Sequence, residues 1–322
     1  MRMLVNALSI LLLLVAGMVT GESAEPSTEK KLRDVIQQSQ QQTGAETVAV
    51  AFLDLRTGQR ILINERARLH AASTMKIPVM MEVFRLAGRG ELSLTEPVTV
   101  INHFSSIFDG TPFSLTPGSD SDQEIYQQVG RQMTVLQLVE RMITISSNLA
   151  TNILIERVRP ENVRKLTRRL GARDIDVRRG VEDNKAFQAG LNNTTTALDL
   201  MLLLADIARW RKLPKVDYDL MIEILAKQKY NDAIPAGLPP GLVVAHKTGE
   251  ITRHHHDAAI VYQGGWGANS GNLQNPYILV ILTRGVVDRT VSSQLIAKLA
   301  SIIHQDLATP ARGRHASDKS AH

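Results

Sequence analysis

The chain contains no cysteine at all. That rules out disulfides and a lipid-modified cysteine, so an exported form would rely on its packed core alone for stability. Aromatic residues make up only 4% of the 322 positions, and lysine and arginine are scattered rather than interleaved with aromatics along a stripe. This pattern argues against nucleic acid as a partner, even with a net charge of +5. A basic surface on an exported protein would instead favour anionic cell-envelope polymers. Long apolar runs are also scarce. One conspicuous run, Ala7 to Val19, follows Arg2 and precedes the small residues Gly21, Ser23 and Ala24. It is short of the roughly 20 apolar residues that a spanning helix needs. Its charged, apolar, then small order reads as a secretory signal peptide over residues 1–24. The expectation is a periplasmic or extracellular protein with no membrane segment in its mature form. There is no internal repeat, and the polar, small-residue stretch 308–322 reads as a disordered tail.

What is present is ordinary globular patterning, 43% hydrophobic, enough for one large domain or two closely packed ones. Residues 27–44 predict a helix capped by Ser27, with Leu32, Val35 and Ile36 on one face. Strands at 47–55 and 59–64 flank an Arg-Thr-Gly turn. A helix opens at "AASTMKIP" and runs to about Leu86, and further helices follow over 134–146, 147–158, 160–171 and 194–210. Strands return at 241–249, 257–263 and 276–285, before a last helix over 290–307. Strands at both ends of the chain can share one antiparallel sheet. The helices between them then form an inserted subdomain, with a cleft where the two parts meet. The division expected is 25–72 with 211–307 for the sheet part and 73–210 for the all-α part.

Ser73 and Lys76 stand three apart in "STMK", a spacing that puts both on one helix face. An alcohol is a poor nucleophile until a base removes its proton, and lysine serves as that base only when burial or neighbouring cations lower its pKa. Alone, the pair also fits a capped helix start with a solvated lysine. Three later segments join it: "SSN" at Ser146–Asn148, the loop "RRGVED" containing Glu182, and "HKTGE" with Lys247, Thr248, Gly249 and Glu250.

The set of motifs, in this order, resembles the class A β-lactamase family within the wider serine penicillin-recognising superfamily. The likeness extends to "MITISSNLATNILIERV" and "NNTTTALDL" and spans roughly residues 28–306. It implies an α+β, β-lactamase/transpeptidase-like fold: a five-stranded antiparallel sheet flanked by helices, with the all-α insertion. It implies Ser73 as nucleophile, Lys76 and Ser146 as proton carriers, and Glu182 as the base that activates water against the acyl-enzyme. Asn148, Lys247, Thr248, Gly249 and the backbone of Glu250 would bind substrate, with the N–H groups of Ser73 and Glu250 as an oxyanion hole worth on the order of 3 kcal/mol per donor. The substrate would be a β-lactam or a cell-wall peptide; no cofactor or metal is implied, and a monomer is expected. A D,D-peptidase, an esterase and a slowly turning-over penicillin-binding sensor share the motifs.

The pattern also departs from the family. Ser147 stands where the second motif usually has aspartate, Ala186 where an asparagine follows the loop glutamate, and Asn193 where an aspartate closes the loop to an arginine. Asn192 is the expected substitute for holding the water, and Arg179 or Arg178 the expected donor to the Asn193 carbonyl oxygen. Glu250 puts a carboxylate beside an edge expected to bind a carboxylate, with Arg253 as its nearest partner in sequence. "RHHHD" suggests a metal, but side chains alternate along a strand, so only His254 and His256 share a side; a polar turn between strands is the simpler expectation.

Overall fold

The computed structural model describes residues 26–263 and 276–308. The expected signal peptide lies outside the described residues, as does the expected tail apart from residue 308. Helix α1, Thr28–Thr43, begins at a Ser27 cap and ends where Gly44 adopts φ +72°. Strands β1, Thr47–Asp54, and β2, Arg60–Ile63, form the first hairpin. The helical block follows: α2, Lys76–Gly88; α3, Val135–Thr144; α4, Asn148–Val158; α5, Pro160–Leu170; the short α6, Asn184–Gln188; α7, Ala197–Ala205; and α8, Tyr218–Ala226. The chain then returns to the sheet through β3, Val243–Ile251, β4, His254–Tyr262, and β5, Tyr277–Arg284, and closes with α9, Arg289–Ile303.

The five strands are antiparallel in the order β2-β1-β5-β4-β3. Strand β5 is central, and both its faces are covered. Ile278, Val280 and Leu282 join the core shared with the helical block, while Tyr277, Leu279 and Ile281 join the core under α1 and α9. This two-sided burial explains why its sequence is a continuous apolar run rather than an alternating one. Helix α2 is apolar almost all round and buried on every side, as a helix at the centre of a bundle must be. Strand β3 is an outer strand of the sheet, and the turn before α2 packs against it.

Several expectations change in detail. Ser73 lies not in the α-helix but in a 3-10 turn, Ala72–Met75, with α2 starting at Lys76. Thr194–Thr195 pairs with Leu69–His70 as a two-residue ladder, so α7 begins three residues later than its apolar pattern suggests. The three consecutive histidines belong to strand β4 rather than to a turn; the turn comes just before them, at Thr252–Arg253, and Arg253 has φ +59°. Helix α8 has no counterpart among the sequence expectations.

Candidate active site

The turn that carries Ser73 is set by its neighbours. Ala72 has φ +45°, a left-handed conformation unusual for a residue with a Cβ, and its N–H donates to His70 Nδ1 at 3.0 Å. Burial pushes the His70 imidazole down to about 4, aided by His254 and Arg179, which keeps Nδ1 an acceptor at neutral pH. Gly249 on β3 packs directly on this turn. A Cβ there would lie 3.0 Å from Thr74 Cγ2 and 3.2 Å from the Ser73 nitrogen. Glycine at this position is therefore what lets the strand reach the nucleophile turn.

Lys76 is completely buried. Its Nζ donates to the Ser146 carbonyl oxygen at 2.7 Å, to Ser146 Oγ at 3.1 Å and to Asn148 Oδ1 at 2.9 Å. These bonds, rather than one to Ser73 Oγ, fix the amine. Burial lowers its pKa to about 7, against the upward pull of Asp120 and Glu182. Lys247, also fully buried, donates from Nζ to Ser146 Oγ at 3.2 Å and to the Thr248 carbonyl at 2.9 Å. Burial and then Lys76 push its pKa well below the ordinary lysine value. The Ser146 hydroxyl thus lies between two amines, both disposed to lose their charge. Ser146 has φ +61° and shows both its carbonyl and its hydroxyl to Lys76. Behind Lys247, His246 and Asp257 tie β3 to β4 through a buried 2.9 Å contact.

Glu182 faces this group from the loop before α6. Its Oε1 accepts from Asn148 Nδ2 at 2.9 Å and its Oε2 from Ser119 Oγ at 2.8 Å. One asparagine amide therefore joins Lys76 to Glu182. The loop is pinned from below by Asn152, one helical turn past Asn148, whose side chain accepts from Val181 N at 2.7 Å and donates to Val181 O at 3.0 Å. Gly180 makes that approach possible, because a Cβ there would stand 2.3 Å from Asn152 Oδ1.

The structure refines three assignments in this loop and at the strand edge. Asn192 Oδ1 accepts from the Arg179 guanidinium at 3.0 Å, while the protein hydroxyl on the Glu182 carboxylate is that of Ser119. Asn193 Oδ1 accepts from the backbone N–H groups of Arg178 and Arg179, at 2.8 and 3.1 Å, and not from a guanidinium. Glu250 pairs with Arg289 at 2.8 Å, whereas Arg253 pairs with Glu46. Arg289 also meets Asp232 at 2.8 Å.

Ser73, Ser146, Asn148, Thr248 and Glu250 line one open cleft of about 1050 Å³, and a second hollow on the Glu182 side shares Ser73 and Asn148. Every residue expected at the site is thus gathered along β3, the α2 turn, the start of α4 and the Glu182 loop. His254 and His256 share a side of β4, with ring centroids 5.9 Å apart, but among the described residues no group of three histidine or acidic side chains is arranged to hold a metal. Sequence reasoning missed Ser119, Asp120, Asn152, His70 and Arg289. Of these, only Asn152 carries a signal, its four-residue spacing from Asn148; the others meet the site through tertiary contacts.

Comparison with known proteins bears on the fold and the family. The structure of PBP-A aligns with a TM-score of 0.69 at 26% identity, over 86% of this chain and 96% of that one. A beta-lactamase from Sphaerobacter thermophilus DSM 20745 gives 0.71 at 22%, over 87% and 98%. The ancestral (GNCA) class A beta-lactamase gives 0.70 at 23%, over 87% and 99%. The model of the beta-lactamase enzyme family matches residues 27–307, nearly the whole described chain. Sheet order, motif order and this match agree, and the chain belongs to the beta-lactamase enzyme family.

Proposed function

We propose that the protein is a serine β-lactamase that opens the β-lactam amide through an acyl-enzyme on Ser73. The observation that carries this reading is the Ser146 hydroxyl held between the Lys76 and Lys247 amines, at 3.1 and 3.2 Å, in the cleft that Ser73 lines. Above about pH 7 the Lys76 amine is neutral and has a lone pair. As Ser73 Oγ bonds to the lactam carbonyl carbon, its proton passes to Lys76. The C–N bond then breaks, the leaving nitrogen takes the Ser146 proton, and Lys76 returns a proton to Ser146 Oγ. General acid–base steps of this kind each contribute about 10²–10⁴-fold. Deacylation needs a second base. Glu182 takes a proton from water as the water oxygen attacks the ester carbonyl, and the proton ends on Ser73 Oγ as the ester bond breaks. Thr248 and the β3 edge receive the substrate's carboxylate, and export to the periplasm as a monomer belongs to the same reading. A PBP-A mutant has been solved as an acyl-enzyme complex with penicillin G, which supports the acyl-enzyme route for a fold of this kind.

A second reading, a D,D-peptidase, esterase or stalled penicillin-binding sensor, draws on two observations. Ala186, buried, stands where the family's water-holding asparagine would be, and the Glu250 carboxylate lies at the cleft. Intact-protein mass spectrometry over time with a penicillin, beside turnover of a chromogenic cephalosporin, separates the readings. The β-lactamase predicts an adduct that appears and decays, with turnover that Ser73→Ala abolishes. An adduct that persists marks the sensor. No adduct, but hydrolysis of a simple ester or a D-Ala-D-Ala peptide, marks the peptidase or esterase.

A further inference from the structure

The carboxylate that "SSN" lacks at its centre is present in the fold. Ser147 caps α4 only through Ala150 N, at 3.3 Å. Asp120, 5% exposed and 27 positions earlier in the chain, takes the rest of that helix end. Both of its oxygens accept from Asn148 N, each at 3.0 Å, and Oδ2 accepts from Leu149 N at 2.9 Å. Asp120 is itself held by Tyr126 Oη, donating at 3.0 Å, and by Asp122 N at 3.0 Å. Unpaired N–H groups and the positive end of the helix dipole both favour a carboxylate here. The preceding residue, Ser119, donates to Glu182. A single short segment therefore touches the loop base directly and the helix that carries Asn148.

We propose that Asp120 is the positioning carboxylate of this active site: by holding the first turn of α4, it fixes Asn148 between Lys76 and Glu182 and so sets the spacing of the two proton-transfer groups. The proposal rests on the acyl-enzyme reading for its kinetic consequences but not for its electrostatic one. The charged groups around the Lys76 amine are Asp120 on this segment, Glu182 on its loop and Lys247 on β3. Asp120 and Glu182 favour the protonated amine, so removing the Asp120 charge lowers the pH at which Lys76 becomes neutral.

The test uses the full folded chain with Asp120→Asn, Asp120→Ala and the relocated carboxylate Asp120→Ser/Ser147→Asp. The Lys76 titration is read by NMR of ¹³Cε-lysine, assigned with Lys76→Met, and acylation and deacylation rate constants are measured with a penicillin across pH. In Asp120→Asn, the Lys76 midpoint falls below its wild-type value and the acid limb of acylation moves with it. Asp120→Ala slows both rate constants about 10- to 100-fold, the usual scale for losing charged hydrogen bonds. The relocated carboxylate recovers most of that loss. Should Asp120→Ala unfold, Asp120→Asn carries the test by itself. An unmoved Lys76 midpoint in Asp120→Asn overturns the proposal. So does a folded Asp120→Ala that keeps wild-type rates. If the wild type is not acylated by any probe, the acyl-enzyme reading fails. The Asn148 side-chain amide resonance then decides: moved in Asp120→Ala and restored in Asp120→Ser/Ser147→Asp, it upholds the positioning role, and unmoved it removes it.

Discussion

On the Lys76 side of Ser73, the reactive amines are sealed into the protein: Lys76 and Lys247 have no exposed surface, and the α2 turn is clamped between β3 and the helical block. On the Glu182 side, the carboxylate is partly exposed and is held by an asparagine amide and a serine hydroxyl. The loop's buried arginine, Arg179, finds only neutral oxygens, those of Leu191, Gly180 and Asn192. Burial does the chemistry on the first side, because it is what brings a lysine near pH 7. Hydrogen-bond geometry does it on the second, where the loop's ion pairs, Arg178 with Asp176 and Lys185 with Asp109, leave Glu182 itself to neutral donors. Nucleophile activation should therefore tolerate few changes of shape, and water activation few changes of polar contact.

Four substitutions test that contrast. The largest effect is expected from Glu182→Gln, which keeps the shape and removes the base. Deacylation should fall about 10²–10⁴-fold while acylation holds, so that the adduct accumulates in intact-mass time courses. Gly249→Ala tests the other side. Its Cβ presses on the Ser73 turn, and overpacking of about 1–3 kcal/mol should slow acylation about 5- to 150-fold, with less effect on decay of the adduct. Asn152→Ala removes both bonds to Val181 and should slow deacylation about tenfold, leaving the rate of adduct formation near wild type. Glu250→Gln is the smallest. It frees Arg289 from a mostly exposed ion pair, worth less than about 1 kcal/mol, and should tighten KM for anionic β-lactams by less than about fivefold. KM for a neutral ester should not move.

The two sides also differ in how far the sequence could be read. Serine and lysine three apart, Ser146 with Asn148, and Lys247 to Gly249 are local patterns, and each lands in the cleft. That strands from both ends of the chain share one antiparallel sheet was legible in their apolar patterns, and β5 in its unbroken apolar run; the strand order itself was not. The Glu182 side was not legible to the same depth. Asp120 and Ser119 sit in "PGSDSD", which reads as a polar loop, and nothing local says which helix it caps. Glu250 meets Arg289, 39 positions away, rather than the nearby Arg253, because α9 begins beside the strand edge. The histidines of β4 look like a turn by polarity alone. They form a strand because β5 supplies the ladder and His256 finds a partner in the His70 carbonyl. Positive φ at Ala72, Ser146 and Glu182 left no trace in residue type, since none of the three is glycine.

Those three backbone positions flank or carry the nucleophile, the proton relay and the loop base, and each holds a conformation that costs on the order of 1–3 kcal/mol. The aim of three side chains into the cleft is therefore held at a standing cost in folding stability, one that a glycine at any of these backbone positions would relieve.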